Sequence, residues 1–237
     1  MTSNIILEAS NIFKYYNLKA ANSFFFNNHK ALKIPALSNI SFQVEKSERI
    51  GIIGSNGSGK TTLCKIISGV TFPTSGTVGI NGKVSSVLEA GTGFDFELSG
   101  YENIFINGAI LGMARKEIYK RVNEIVKFSE IEEYIYLPVK KYSSGMIIKL
   151  AFAIASFLDG EIVILDEILA VADEKFRQKC IKKIIRDCKE KNKTLFLVSH
   201  DIRNILETCT KVIYLKKGQL ISFGETKSVI SIYQNEN

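Results

Sequence analysis

The sequence predicts an α/β fold, because short apolar segments that suit buried strands alternate with segments of helical periodicity. Buried strands of a parallel core sheet are expected at residues 49–53, 162–165 and 194–198, each an almost continuously apolar run. A glycine-rich loop follows the first of these strands, and two adjacent carboxylates follow the second. Both groups therefore stand where a strand ends and where the ligand crevice of such a sheet begins.

The remaining elements are predicted from their periodicity, and they fit a single domain that spans residues 1–237. Two strands of an antiparallel subdomain come first, then an inserted helical subdomain at roughly residues 98–158, and finally a strand pair with a last helix. The expected bounds are 5–13 and 36–44 for the first strands, 100–112 and 115–128 for the inserted helices, 211–215 and 219–224 for the strands around a turn at 216–218, and 226–233 for the last helix.

Residues 17–35 form an unusually long connection between the first two predicted strands. The segment carries Phe24, Phe25 and Phe26 beside several basic side chains. Two interpretations stay open at this point. The aromatic rings pack onto the sheet under a long loop, or they contact a membrane domain or a lipid interface.

A complete phosphate-binding loop lies between the strand at 49–53 and a predicted helix. It reads Gly54, Ser55, Asn56, Gly57, Ser58, Gly59, Lys60 and Thr61, followed by Thr62. Consecutive backbone N–H groups of such a loop wrap a polyphosphate, and glycines let the main chain approach it closely. Lys60 is expected to reach the β- and γ-phosphates, Thr61 to bind Mg²⁺ and Thr62 to reinforce the same turn. The loop therefore predicts nucleotide binding, with Mg²⁺ beside the phosphates.

Three further groups of polar residues follow in order along the chain. Ser143 and its neighbours Tyr142, Ser144, Gly145 and Met146 open an apolar, helix-like stretch. Asp166 and Glu167 end the strand at 162–165, and His200 follows the strand at 194–198.

This order of motifs resembles the ATP-binding subunit of ABC transporters over nearly the whole chain. The resemblance implies a RecA-like core sheet, an antiparallel β subdomain, an inserted helical subdomain and ATP hydrolysis as the activity. Residues 142–146 are similar to the signature loop of that family, Leu-Ser-Gly-Gly-Gln, and differ from it at three of five positions. The retained Ser143 and Gly145 would bind the γ-phosphate held by a second subunit, with Ser144 and Met146 beside them. The alternative is an ordinary serine N-cap before a core helix whose apolar stripe is Ile147, Leu150, Ala151, Ile154 and Ala155.

The resemblance also implies catalytic roles. Asp166 would hold Mg²⁺ through water, and Glu167 would polarise the attacking water as general base. His200 would contact the γ-phosphate, and Asp173 would lie in the loop that links the two nucleotide sites of a dimer. The structural alternatives are an N-cap pair for Asp166 and Glu167, an N-cap for Asp173 and an internally satisfied histidine for His200.

Two residues complete the expected nucleotide site. Tyr16 stands where the family stacks an aromatic ring on adenine, although a tyrosine that simply ends the first strand is the alternative. Glu89 occupies the place of the usual glutamine, where a carboxylate would contact Mg²⁺ or would merely be solvated.

The stretch from Glu89 to Asn103, together with residues 170–180, is similar to the ATPases that export bacterial O-antigen, capsule or teichoic-acid chains. This implies an integral-membrane permease as partner, a homodimer of this chain, a lipid-linked polysaccharide as transported substrate, and a peripheral position on the cytoplasmic face of the bacterial inner membrane. Since the sequence ends at Asn237, directly after the last predicted helix, no appended carbohydrate-binding domain is expected. A soluble ABC ATPase of translation or repair and a phosphoryl-transfer kinase are the competing functions.

Composition sets further bounds on the function. The 237 residues are 46% hydrophobic, which suits a sizeable single core. The formal net charge of +7 is compatible with nucleic acid, anionic lipid head groups or a pyrophosphate-linked substrate, but a solvated surface is the default interpretation. No arginine-rich block or interleaved aromatic patch supports nucleic acid as a partner, and neither a secretory signal nor a membrane span is expected. Cys64, Cys180, Cys188 and Cys209 lack metal-site spacing and are expected to be packing residues.

Overall fold

The structure is a computed structural model that describes residues 4–18, 32–86, 93–166 and 174–236. It alternates strands and helices as the apolar periodicity predicts. The elements in chain order are β1 (Ile5–Leu18), β2 (Leu32–Glu45), β3 (Arg49–Ile53), α1 (Lys60–Ile67), β4 (Ser75–Ile80), β5 (Val84–Ser86), α2 (Gly100–Ile110), α3 (Arg115–Ser129), α4 (Ser144–Ala155), β6 (Ile162–Asp166), α5 (Glu174–Glu190), β7 (Thr194–Val198), α6 (Ile202–Thr208), β8 (Lys211–Lys216), β9 (Gln219–Glu225) and α7 (Thr226–Asn235).

The described residues form two compact units. The first comprises Met1–Asn81 and Val198–Asn237, and the second comprises Gly82–Leu197. In the first unit, β1 pairs antiparallel with β2 on one side and with β4 on the other. In the same unit β3 pairs parallel with β8, and β9 runs antiparallel beside β8. Isoleucines and valines of β3 and β8 are fully buried, which gives this unit its core.

The second unit carries β5, β6 and β7 side by side, with β5 parallel to β6. It also carries the inserted helices α2, α3 and α4, and these lie within a few residues of the predicted bounds. The predicted apolar stripe of α4 is buried from Leu150 onward, because that face packs against α2, α3 and α5.

Strand β1 continues to Leu18 and β2 begins at Leu32, so both strands are longer than predicted. The predicted bounds of the connection, residues 17–35, are therefore wrong at both ends. Tyr15 pairs with Pro35, Tyr16 with Ile34 and Asn17 with Lys33 in the β1–β2 register. Aromatic and β-branched side chains favour extended backbone, and each strand supplies the other with a hydrogen-bonding partner. The rest of that connection, including Phe24 to Phe26, lies outside the described residues.

The four cysteines are free and buried, as expected of packing residues. Burial raises the pKa of Cys180 to about 11 and that of Cys209 to about 12, so both thiols stay protonated at neutral pH. Within the described ranges no helix combines the length and apolarity that crossing a membrane requires.

A buried asparagine organises the start of the helical region. Asn103 in α2 is completely buried, and its side-chain amide donates to the carbonyl oxygens of Asp95 at 2.8 Å and Ser99 at 2.9 Å. Its side-chain oxygen accepts from the Asp95 N–H at 2.8 Å. Ser99 and Glu102 form a capping box at the same helix end, and the Ser99 hydroxyl lowers the pKa of Glu102. These polar contacts therefore fix the loop before α2.

We expect Asn103→Ala to lower the free energy of unfolding by about 2–4 kcal/mol, because the Asp95 N–H would lose its side-chain acceptor and the carbonyl oxygens of Asp95 and Ser99 would each lose one donor. Urea denaturation measures the change. Asn123→Ala is the matched control, since Asn123 is exposed on α3. Similar losses in the two variants would contradict a structural role for Asn103.

Candidate functional site

The phosphate-binding loop joins β3 to α1 and lies in the first unit. Gly54 and Gly59 have φ values of 147° and 105°, a region that favours glycine. A Cβ at Gly54 would lie 2.1 Å from the carbonyl oxygen of Leu215, and a Cβ at Gly59 would lie 2.7 Å from that of Ala36. Both glycines are therefore required by conformation and by space.

Lys60 begins α1, and its side chain turns back over the loop. The Nζ atom donates to the carbonyl oxygens of Gly54 at 2.7 Å and Ser55 at 2.9 Å, and the residue is buried. These contacts hold a positive charge at the centre of the loop. A polyphosphate in the loop would meet that charge directly.

The N-terminus of α1 fits an anion. Gly59 is the N-cap residue, and no side-chain hydrogen bond caps this end of α1. The N–H groups of the first turn can therefore point at a ligand, and the helix dipole favours negative charge there. Thr61 and Thr62 are half-buried in the same turn, so the Thr61 hydroxyl has the donor chemistry and the place in the loop that a Mg²⁺ ligand needs.

The turn between β8 and β9 supports the loop, a role that the sequence reasoning missed. Gly218 donates its N–H to the carbonyl oxygen of Ser58 at 3.0 Å and accepts from the Ser38 N–H at 2.8 Å. Its φ of 78° follows a φ of 48° at Lys217, as in the turns that join tight hairpins. The sequence indicates the turn, but the contact with Ser58 joins residues far apart along the chain and has no local signal.

Tyr16 lies in β1, and 42% of its surface is exposed. The Nζ atom of Lys14 lies 5.3 Å from the centre of its ring, and the same ammonium group donates to the carbonyl oxygen of Phe72 at 2.7 Å. One face of the ring therefore carries a fixed cation. The stacking of adenine on Tyr16 stays a prediction.

His200 follows β7 and is exposed. Its neighbours shape a tight corner, in which the Asp201 N–H donates to the Ser199 hydroxyl at 3.0 Å and the Asp201 carboxylate caps α6. The exposed imidazole of His200 lies at this corner beside the N-terminus of α6. Its contact with a γ-phosphate stays a prediction.

The residues of the expected signature loop begin α4 in the second unit. Ser143 is the N-cap, and its hydroxyl accepts from the Met146 N–H at 3.2 Å. Ser143, Ser144 and Gly145 are exposed, and Met146 is half-buried. The N-cap interpretation is therefore confirmed, while the exposed helix end also suits an anion.

Of the predicted acidic site residues, only Asp166 is among the residues that the structure describes. Asp166 is the last residue of β6, which ends where the sequence predicts. Glu167, Asp173 and Glu89 lie outside the described residues, so their roles stay predictions. Within the described residues, no group of three or more histidine, cysteine or carboxylate side chains could hold a metal ion by itself.

A family model described as "ABC transporter" matches residues 37–170. The chain belongs to the ABC transporter family. It is an ATP-binding cassette, and such cassettes are ATPases.

Several proteins are similar to this cassette over most of its length. The O-antigen export system ATP-binding protein RfbB of Klebsiella pneumoniae is 42% identical over 86% of this chain and 83% of its own length. RfbB of Myxococcus xanthus is 45% identical over 85% of this chain, which spans 46% of that longer protein. The teichoic acids export ATP-binding protein TagH of Staphylococcus epidermidis is 44% identical over 84% of this chain and 75% of its own length.

A solved ATP-binding cassette in a dimeric post-hydrolysis state, bound to ADP and Pi, has a TM-score of 0.73 to this cassette. The alignment covers 93% of this chain and 98% of the solved one at 24% identity. The predicted α/β cassette fold is therefore confirmed.

In this cassette Lys60→Ala should weaken nucleotide binding by at least about tenfold, because it removes the cation held over the loop. Titration with a fluorescent ATP analogue measures the affinity. Lys65→Ala is the matched control, since Lys65 is an exposed lysine in the last turn of the same helix. Equal affinities for the two variants would remove Lys60 from phosphate binding.

Proposed function

We propose that the cassette is the ATP-hydrolysing subunit of an exporter that moves a lipid-linked polysaccharide, with O-antigen as the substrate. The observation that carries this proposal is the identity of 42–45% to proteins named for O-antigen and teichoic-acid export, over 84–86% of the chain. A capsule or teichoic-acid polymer is the alternative cargo. The relatives favour export over a soluble ATPase of translation or repair and over a kinase.

The phosphate-binding loop supplies the ATP site in this proposal. Lys60 neutralises the β- and γ-phosphates, and the N–H groups of the loop and of α1 surround them. Mg²⁺ would supply positive charge that offsets the charge of the phosphates. Thr61 would hold it directly, Asp166 through water, and Glu89 as a third ligand. Tyr16 stacks on adenine.

Glu167 is proposed as the general base, placed directly after the strand that Asp166 ends. A carboxylate there can orient the attacking water and accept its proton. His200 donates to the γ-phosphate from the exposed corner after β7. The position of Asp166 at the end of a buried strand supports this assignment, since ligands of open α/β sheets bind at such ends.

Two copies of the cassette are proposed to act together beneath an integral-membrane permease, on the cytoplasmic face of the bacterial inner membrane. In the dimer, Ser143 and Gly145 of one copy meet the ATP held by the other, and Asp173 links the two sites. The exposed N-terminus of α4 supports this arrangement, because Ser143, Ser144 and Gly145 are open to an anion there.

Glu167→Gln should lower ATP turnover by about 10²–10⁴-fold and spare ATP affinity, because only proton acceptance is lost. Turnover is measured on the subunit purified with its membrane partner. Glu124→Gln, at an exposed position on α3, is the control. Near-normal turnover of Glu167→Gln would remove Glu167 from the role of general base.

Polysaccharide export is tested in cells. When the gene carries Lys60→Ala, surface polymer should fall to about a tenth or less, since the turnover that drives export needs bound ATP. Lipid-linked polymer should accumulate inside the cells. Lys65→Ala should leave both pools as in the wild type, and immunoblots of surface and cell extracts measure them. Normal surface polymer in the Lys60→Ala strain would contradict the proposed function.

A further inference from the structure

Tyr142 stands where the resembled signature loop has leucine, directly before the N-cap residue of α4. Only 8% of its surface is exposed, and its hydroxyl donates to the backbone carbonyl oxygen of Tyr134 at 2.8 Å. A leucine has no donor for that carbonyl. Burial raises the pKa of Tyr142, so the hydroxyl keeps its proton and remains a donor at neutral pH.

Gly100 provides the space for this phenol. A Cβ at Gly100 would lie 2.2 Å from the hydroxyl oxygen of Tyr142 and 3.0 Å from the ring carbon that bears it. Gly100 is the first residue of α2 and has helical backbone angles that any residue can adopt, so its conformation does not require glycine. The requirement for glycine at this position comes from the Tyr142 side chain, and the two residues are complementary in shape.

The backbone around this pair is tied in several places. Val139 donates its N–H to Leu98 at 2.9 Å, and Lys140 donates to Phe96 at 2.9 Å. The N–H of Tyr142 in turn donates to the carbonyl oxygen of Val139 at 2.9 Å. The segment before α4 is therefore anchored to the segment before α2, and Tyr142 is the last anchored residue before the exposed loop.

We propose that Tyr142 is a positioning residue for the signature loop. Its hydrogen bond to Tyr134 and its fit against Gly100 set the direction in which Ser143 and Gly145 are presented to ATP in the partner subunit. Tyr142 itself touches no nucleotide. The inference rests on the proposed function, because it requires that the loop binds ATP in trans.

Two variants separate positioning from simple stability. Tyr142→Phe removes only the hydroxyl, and turnover of the purified transporter should fall about tenfold while the affinity of the phosphate-binding loop for ATP changes less than about twofold. Tyr214→Phe is the matched control, since it removes the hydroxyl of another buried tyrosine, which donates to Glu236 at 3.1 Å in the first unit. The two variants should melt at similar temperatures, but only Tyr142→Phe should lose turnover. Wild-type turnover of Tyr142→Phe overturns the proposal.

Gly100→Ala tests the packing of Tyr142 against Gly100 by changing the glycine instead of the tyrosine. Alone it should lower turnover about tenfold, because the added methyl group displaces the phenol. The double variant with Tyr142→Leu and Gly100→Ala should have the same turnover as Tyr142→Leu alone. An equal cost of Gly100→Ala in both backgrounds would show that the two residues are not coupled and would overturn the proposal.

Ser143→Ala and Gly145→Ala distinguish the failure of this inference from that of the proposed function. If both variants keep wild-type turnover, the loop does not act on ATP in trans, and both proposals fail. If both lose turnover and Tyr142→Phe does not, only the positioning role of Tyr142 fails.

Discussion

The phosphate-binding loop keeps its shape because two backbone carbonyl oxygens occupy the space where side chains would otherwise lie. The oxygen of Leu215 excludes a Cβ at Gly54, and the oxygen of Ala36 excludes one at both Gly59 and Gly218. Strand β8 therefore meets the loop at Gly54 through a main-chain oxygen, and strand β2 meets it at Gly59 through the Ala36 oxygen and the Leu37 side chain. Since Lys60 is held by carbonyl groups of the same loop, the charge at its centre depends on this close packing.

The two helix ends that the proposal assigns to ATP differ in their caps. The N-cap residue of α1 is Gly59, which has no side chain to cap the helix, so the first N–H groups of α1 can bind an anion. The N-cap residue of α4 is Ser143, whose hydroxyl already accepts from the Met146 N–H. A hydroxyl that accepts one hydrogen bond still has a hydrogen to donate. The N-cap and the phosphate contact are therefore compatible roles for Ser143, and the alternatives posed by the sequence do not exclude each other.

The sequence predicts the elements whose signal is local and misses contacts made across the chain. The buried strand β3, the loop after it and the helices α2 and α3 follow from periodicity and glycine spacing within short windows. The extension of β1 to Leu18 depends on pairing with β2, and the support of Ser58 by Gly218 joins distant residues, so neither has a local pattern. The bonding partners of Asn103 likewise become visible only when the chain is folded.

The stretch from Glu89 to Asn103 narrows the family resemblance, and several residues in its described part, 93–103, have structural roles in this chain. Asn103 fixes the loop before α2 from a fully buried position, Glu102 completes the capping box with Ser99, and Gly100 makes room for Tyr142. None of these residues is placed in contact with ATP by the proposed function. The carbonyl oxygens of Leu98 and Phe96 are hydrogen-bonded to the segment that leads into α4, so main-chain bonds connect this stretch to the residues before Ser143. Residues that look like part of a functional motif can thus act by holding the N-terminus of α4 in place.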